Sequence, residues 1–147
     1  MEKCCVLIES WQIQCCGEPF KVGDTIEWFV KKWDKVMPDY PDAGVMDYFY
    51  EHHPTDYKDW FAFTGTVSNI EICYCLWISD PDKPKNYKMM VRSSCYTEPI
   101  TEALVWEKKR SKHQFDGYIA HFNDYQIRLS EQSEHFTYIQ GKYGGSE

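Results

Sequence analysis

Residues 64–78 read TGTVSNIEICYCLWI, and this stretch is the strongest indication of the fold class. Side chains along a strand alternate between its two faces, so Ile72 and Cys73 would point in opposite directions. Because every position from Ile72 to Ile78 is apolar, both faces need cover. The sequence therefore predicts a central strand that is buried on both sides.

Alternation of apolar and polar residues continues on both sides of this stretch. Further strands are predicted at Cys4–Glu9 (continuing through Trp11 and Ile13), Thr25–Val30, Met89–Tyr96, Phe115–Phe122, Tyr125–Leu129 and Phe136–Ile139. Asn123-Asp124 is expected to be a turn, and residues 37–60 a long excursion with room for one helical turn at 45–50. Residues 100–112 fit a helix or a strand. We expect one all-β domain at 1–140, a small antiparallel barrel or sandwich, and a flexible tail at 141–147.

Composition narrows the class of partner and the compartment. The chain of 147 residues has 16 basic and 23 acidic side chains, a net charge of -7, which disfavours nucleic acid. No apolar run approaches the ~20 residues of a bilayer span, and no secretory signal is visible, so we expect a cytoplasmic protein with no membrane association. Its seven cysteines are then expected to be reduced thiols.

Charge is distributed unevenly along the chain. Seven acids and two lysines lie between Asp34 and Asp59, whereas eight basic and four acidic residues lie between Asp82 and His113. Such a dipole could steer a charged partner, or the two segments could simply be solvated loops of opposite sign.

One motif carries a family resemblance. Residues 11–24 have the pattern W-x-x-x-C-C-G-x-P-F-x-V-G-D, and the chain resembles a family of small bacterial proteins whose domain has no known function. Thr64–Ile70 and Phe115–Ile119 are similar to later strands of that family. The resemblance implies a bacterial cytosolic origin and no mechanism. Gly23-Asp24 before an alternating strand is also how Src-homology-3-like and tudor-like barrels open their first long strand.

The metal candidate consists of two thiols and two imidazoles, the ligand types of a tetrahedral zinc site: Cys15, Cys16, His52 and His53. Adjacent cysteines in an extended strand point to opposite faces, so one metal would normally take only one of them, although a tight turn at Gly17 could bring both round. A site of one cysteine and one histidine, completed by Asp56 or His121, is another arrangement. The alternative is that the cysteines are small buried residues and the histidines lie on a loop surface. A Cys–His catalytic pair is possible in composition, but no spacing selects one, so we expect no enzyme and no cofactor, with zinc as the alternative.

Six tryptophans are more than a small core needs. Trp28 and Trp106 can be buried, whereas Trp11, Trp33, Trp60 and Trp77 are hard to place inside together. The acidic segment 37–60 is also rich in aromatic residues, and Trp and Tyr dominate protein-binding hot spots. The alternative is that these aromatics form a satellite core.

The sequence therefore favours a non-enzymatic domain that binds a protein partner through an acidic aromatic surface, and the charge of this surface would suit a basic partner. The residues predicted to form this surface are Asp47, Tyr48, Tyr50, Asp56, Tyr57, Asp59 and Trp60. A zinc-binding protein that uses the cysteine and histidine candidates is the alternative function.

Overall fold

The computed structural model describes residues 3–51, 60–85 and 87–129. Its elements are β1 (Cys4–Glu9), α1 (Ser10–Cys16), β2 (Phe20–Lys21), β3 (Thr25–Val36), a 3-10 turn (Pro41–Ala43), β4 (Val45–Tyr50), β5 (Trp60–Ser79), β6 (Lys88–Ile100), β7 (Glu102–Ala103) and β8 (His113–Leu129). The all-β prediction is confirmed, with one short helix. Among the described residues no helix is long and apolar enough to cross a membrane.

The main sheet has six strands in the order β3-β4-β1-β8-β5-β6, and β3 also pairs with β5. This extra pairing makes the sheet ring-like. It is not a regular barrel, because β5 pairs with β3 only from Trp60 to Thr66 and with β6 from Ile70 onward. All of these pairings are antiparallel except that between β1 and β4, which is parallel.

Strand β5 is central, as its sequence predicts, and its two faces enter two different clusters. One face contributes Ile72 and Tyr74 to the main core, where Phe63 and Phe122 pack with their ring centroids 4.8 Å apart. The opposite face contributes buried Cys73 to a second cluster. This second cluster lies under the strap, our name for residues 37–44, because Tyr40 of the strap is buried within it.

The predicted continuation of the first strand through Trp11 and Ile13 is wrong, because the chain turns into α1 after Glu9. Burial of Gln12 and Ile13 holds this helix against the fold. It ends at Gly17, whose N–H donates to the Ile13 carbonyl at 2.8 Å. A Cβ at Gly17 would lie 2.4 Å from Ile13 Cγ1, so only glycine permits this close approach.

The predicted helical turn at 45–50 is also wrong, because these residues form β4 between β1 and β3. Met46 and Tyr50 are buried there, and pairing on both sides satisfies the backbone. The predicted turn at Asn123-Asp124 is absorbed into continuous β8, where the pairing with β5 shifts register beside Thr66 and Val67.

In the segment 100–112, β6 ends at Ile100 and only the two residues of β7 are extended, so it is mainly turns. The predicted strand at 136–139 and the tail at 141–147 lie outside the described residues.

Candidate functional site

A cavity of about 510 Å³ opens between α1, the strap and the outer face of the sheet. We call it the acidic aromatic pocket. Its lining includes three tryptophans, two methionines and three carboxylates: Trp11, Trp33, Trp77, Met37, Met90, Glu9, Asp39 and Asp116. Among the described residues that line it, none is a lysine or an arginine. The pocket is therefore apolar in its walls and negative in its charge.

The tryptophans reach the pocket from three separate elements. Trp11 lies in the first turn of α1 and is 57% exposed, and Trp33, at the far end of β3, is 37% exposed. Trp77 of β5 is half-buried. Exposed indole rings of this kind present both apolar surface and a negative ring face.

Trp33 is held in place by its neighbours. Its ring packs edge-to-face on Phe49 with the centroids 5.1 Å apart, and Lys35 Nζ lies 4.6 Å from the Trp33 centroid. The chain therefore already places one of its own cations on a tryptophan of the pocket wall.

The carboxylates are fixed by specific contacts. The Tyr40 hydroxyl donates to Asp116 Oδ2 at 2.9 Å, and burial raises the pKa of Tyr40 far above its ordinary value, so the phenol stays a donor. Asp39 Oδ1 lies 2.9 Å from Nε of Arg92, which is largely exposed. Asp116 and Asp39 therefore each accept a hydrogen bond from a neighbouring side chain. Asp39 already binds the guanidinium of Arg92 at the rim of the pocket.

The structure moves part of the predicted surface into the interior. Tyr50 and Trp60 are only 4% and 5% exposed, so the prediction that they form an exposed binding surface is wrong. Tyr50 packs edge-to-face on Trp28 at 5.7 Å, and the Trp60 ring lies 4.5 Å from Phe29. These two aromatics belong to the packed interior because β4 and β5 are sheet strands rather than parts of an open loop.

The other predicted surface residues have different outcomes. Half-buried Tyr48 packs against the main core, and Asp47 Oδ2 accepts a hydrogen bond from the Cys5 backbone N–H at 2.8 Å. Neither lines the acidic aromatic pocket. The predicted surface residues Asp56, Tyr57 and Asp59 lie outside the described residues.

The cysteines of the zinc candidate lie at the end of α1, where their Sγ atoms are 3.0 Å apart. The opposite-face arrangement of an extended strand does not apply, because Cys15 and Cys16 end a helix, and the two sulfurs come together before Gly17. His52 and His53 lie outside the described residues, and within the described ranges no three cysteine, histidine or acidic side chains are arranged so that they could hold a metal ion. Zinc binding at these four residues stays a prediction.

A thiol, an imidazole and a carboxylate form a chain on the outer face of the sheet. Cys5 Sγ lies 3.2 Å from His121 Nδ1, and His121 Nε2 lies 2.7 Å from Glu71 Oε2. Burial and the Asp47 carboxylate raise the pKa of Cys5 to about 11, which keeps the thiol protonated. Because both imidazole nitrogens are already engaged, we interpret this chain as a structural link between strands.

The sequence did not identify most of the pocket residues as site residues, although its surplus of tryptophans was one indication of them. Trp11, Trp33 and Trp77 are three of the four tryptophans that the core could not be expected to hold, and all three line the pocket. The fourth, Trp60, is buried, whereas Trp106, which the sequence allows to be buried, is 71% exposed. Nothing in the sequence links Glu9 to Asp116; only the antiparallel pairing of β1 with β8 brings these ends together.

Comparison with known proteins identifies relatives only at the family level. A model described as a family of unknown function (DUF6578) matches residues 2–124. No curated protein and no solved structure matches the chain.

Proposed function

Because the chain belongs to this family of unknown function, which supplies no activity, we propose from the pocket alone that the protein is a non-enzymatic binding domain that holds a cationic side chain of a protein partner. The observation that carries the proposal is the convergence of three tryptophans and three carboxylates in one open cavity. A cytoplasmic location and a basic partner, as expected from composition, belong to the same proposal.

Arginine is the side chain that suits this lining best. Its planar guanidinium stacks on indole faces and keeps its charge at any physiological pH. The Asp39–Arg92 ion pair and the Lys35–Trp33 contact are internal examples of the two interactions required. A neutral apolar ligand would fill the walls but would desolvate Glu9 and Asp116 without supplying a counter-charge.

A capped five-residue peptide with one central arginine tests the proposal, with the citrulline peptide as its neutral, nearly isosteric control. Binding is followed by NMR through the six indole N–H signals of ¹⁵N-labelled protein. We expect the arginine peptide to shift the signals of Trp11 and Trp77, and the citrulline peptide to shift them much less. Equal binding of the two peptides would remove charge recognition from the proposal.

Matched variants distinguish binding in the pocket from non-specific binding to exposed indole rings. Trp11→Ala removes one exposed ring of the pocket, whereas Trp106→Ala removes an even more exposed indole that does not line it. A cation–π contact contributes about 1 kcal/mol at such a site, so the first variant should bind the arginine peptide about fivefold more weakly. The second should bind like the wild type. Equal affinities for all three proteins would refute the pocket assignment.

The charge contribution has its own test. Glu9→Gln changes an exposed carboxylate to its neutral isostere. It should weaken binding of the arginine peptide and make that binding less sensitive to salt, because one screened attraction is gone. An unchanged salt dependence would mean that Glu9 does not face the cation.

A further inference from the structure

The sequence contains two pairs of adjacent cysteines, and the fold separates the side chains of one pair and brings those of the other together. Cys4 and Cys5 lie in β1, where Cys4 is buried in the main core and Cys5 faces His121 on the other side of the sheet. Cys15 and Cys16 lie in the last turn of α1, with their Sγ atoms 3.0 Å apart. Of these two pairs, the helical one brings its thiols to one point, with Cys15 exposed and Cys16 half-buried. The Cys75 and Cys95 thiols also contact each other, but Cys75 is fully buried.

The backbone that carries the helical pair is fixed on both sides. Before the pair, Ile13 is buried, and Gln12 Nε2 donates to Glu51 Oε1 at 2.8 Å. After the pair, the Gly17 N–H returns to the Ile13 carbonyl. The two thiols are therefore presented together by an anchored turn, so little side-chain rearrangement is needed to engage both.

Oxidation is not the outcome that this geometry favours. Neighbouring Cα atoms are about 3.8 Å apart across a trans peptide, whereas disulfides span roughly 4.4–6.8 Å between Cα atoms. A disulfide between adjacent residues is therefore strained and readily reduced. The hydrogen bond between the thiols also raises the pKa of Cys16, which favours the protonated dithiol at neutral pH.

We propose that Cys15 and Cys16 form a bidentate site for a soft, thiophilic centre that takes two thiolates, with a monosubstituted trivalent arsenical as its simplest representative. Thiolates are the ligands that soft centres prefer. With phenylarsine oxide, two As–S bonds form, the As–O bond breaks, and the two thiol protons leave with the oxygen as water. Arsenic stays trivalent, so no oxidant or reductant is required. The site involves no residue of the acidic aromatic pocket, and the two proposals can fail separately.

Phenylarsine oxide, added in equimolar amount to the reduced full chain, is the probe, and intact-mass spectrometry is the readout. We expect one phenylarsenic adduct per chain that survives a large excess of glutathione and is removed by a 1,2-dithiol, because a chelate resists competition by monothiols. Removal of the wild-type adduct by glutathione alone would overturn the proposal.

Serine variants locate the adduct. Cys15→Ser and Cys16→Ser should each give an adduct that glutathione strips, because one As–S bond is lost. Cys5→Ser is the matched control from the strand pair, and it should keep the glutathione-resistant adduct. Far-UV circular dichroism confirms that each variant is folded. A resistant adduct on the folded Cys15→Ser/Cys16→Ser double variant would assign the chelate to other cysteines and refute this site.

Discussion

Replacement of Trp60 by alanine tests the assignment of this residue to the interior. The indole is 5% exposed, its ring lies 4.5 Å from that of Phe29, and its Nε1–H donates to the Glu51 carbonyl at 2.8 Å. Truncation of a buried aromatic residue to alanine typically costs about 3–5 kcal/mol. Because domains of this size are stable by about 5–15 kcal/mol, Trp60→Ala should lose a large part of the free energy of unfolding.

Two further variants divide this loss into its causes. Trp60→Phe keeps most of the apolar contact but removes the donor to Glu51, which should cost about 1–3 kcal/mol. Trp106→Ala deletes an indole that is 71% exposed and should change stability by no more than about 0.5 kcal/mol. Urea unfolding followed by far-UV circular dichroism measures all three without relying on tryptophan fluorescence. If Trp60→Ala unfolds at the same urea midpoint as Trp106→Ala, Trp60 does not belong to the interior, and the prediction that it is exposed would be correct.

Two other predictions concern stability. Gly117 has φ +153°, and a Cβ there would lie 2.4 Å from the Ile8 carbonyl oxygen, so Gly117→Ala should destabilise the β1–β8 pairing by about 2 kcal/mol or more. A wild-type urea midpoint would contradict this. The pKa of Cys5 is raised from 9.0 to about 11 by folding, so its contribution to stability is present below pH 9 and is lost as the pH rises toward 11. Cys5→Ala should make the alkaline decline in the free energy of unfolding shallower, and an identical decline would exclude this contribution.

The sequence predicts those parts of the fold in which local pattern and tertiary environment agree. β5 is apolar on both faces over residues 72–78, and the structure covers residues 72–75 with the main core on one side and the second cluster on the other, whereas Ile78 is 44% exposed. The first strand begins at Cys4 as predicted. In such segments burial requires apolar residues at the covered positions. The local pattern of apolar and polar residues is therefore sufficient to predict the strand.

The errors occur where a distant strand determines the conformation. Residues 45–50 follow a proline-rich acidic stretch and resemble a loop, yet they become β4 because β1 and β3 offer two unpaired edges. The partners of β4 in parallel pairing lie about forty positions earlier, at Val6 and Leu7. No local pattern encodes a contact at that separation, and intrinsic preference gives way to it.

The same cause explains why the candidate site lies elsewhere than the predicted surface. Whether a tryptophan is an anchor of the core or part of a binding wall depends on which face of its element is covered, and this is set by pairing partners elsewhere in the chain. Trp60 starts a strand with neighbours on both sides and is enclosed, whereas Trp11 lies in the first turn of the helix that follows β1 and stays exposed. The surplus of tryptophans and acidic residues was therefore evident from the sequence, but the place where they converge was not. The parallel pairing of β1 with β4 sets the outer face on which the strap lies, and the pocket is the gap between that strap and α1.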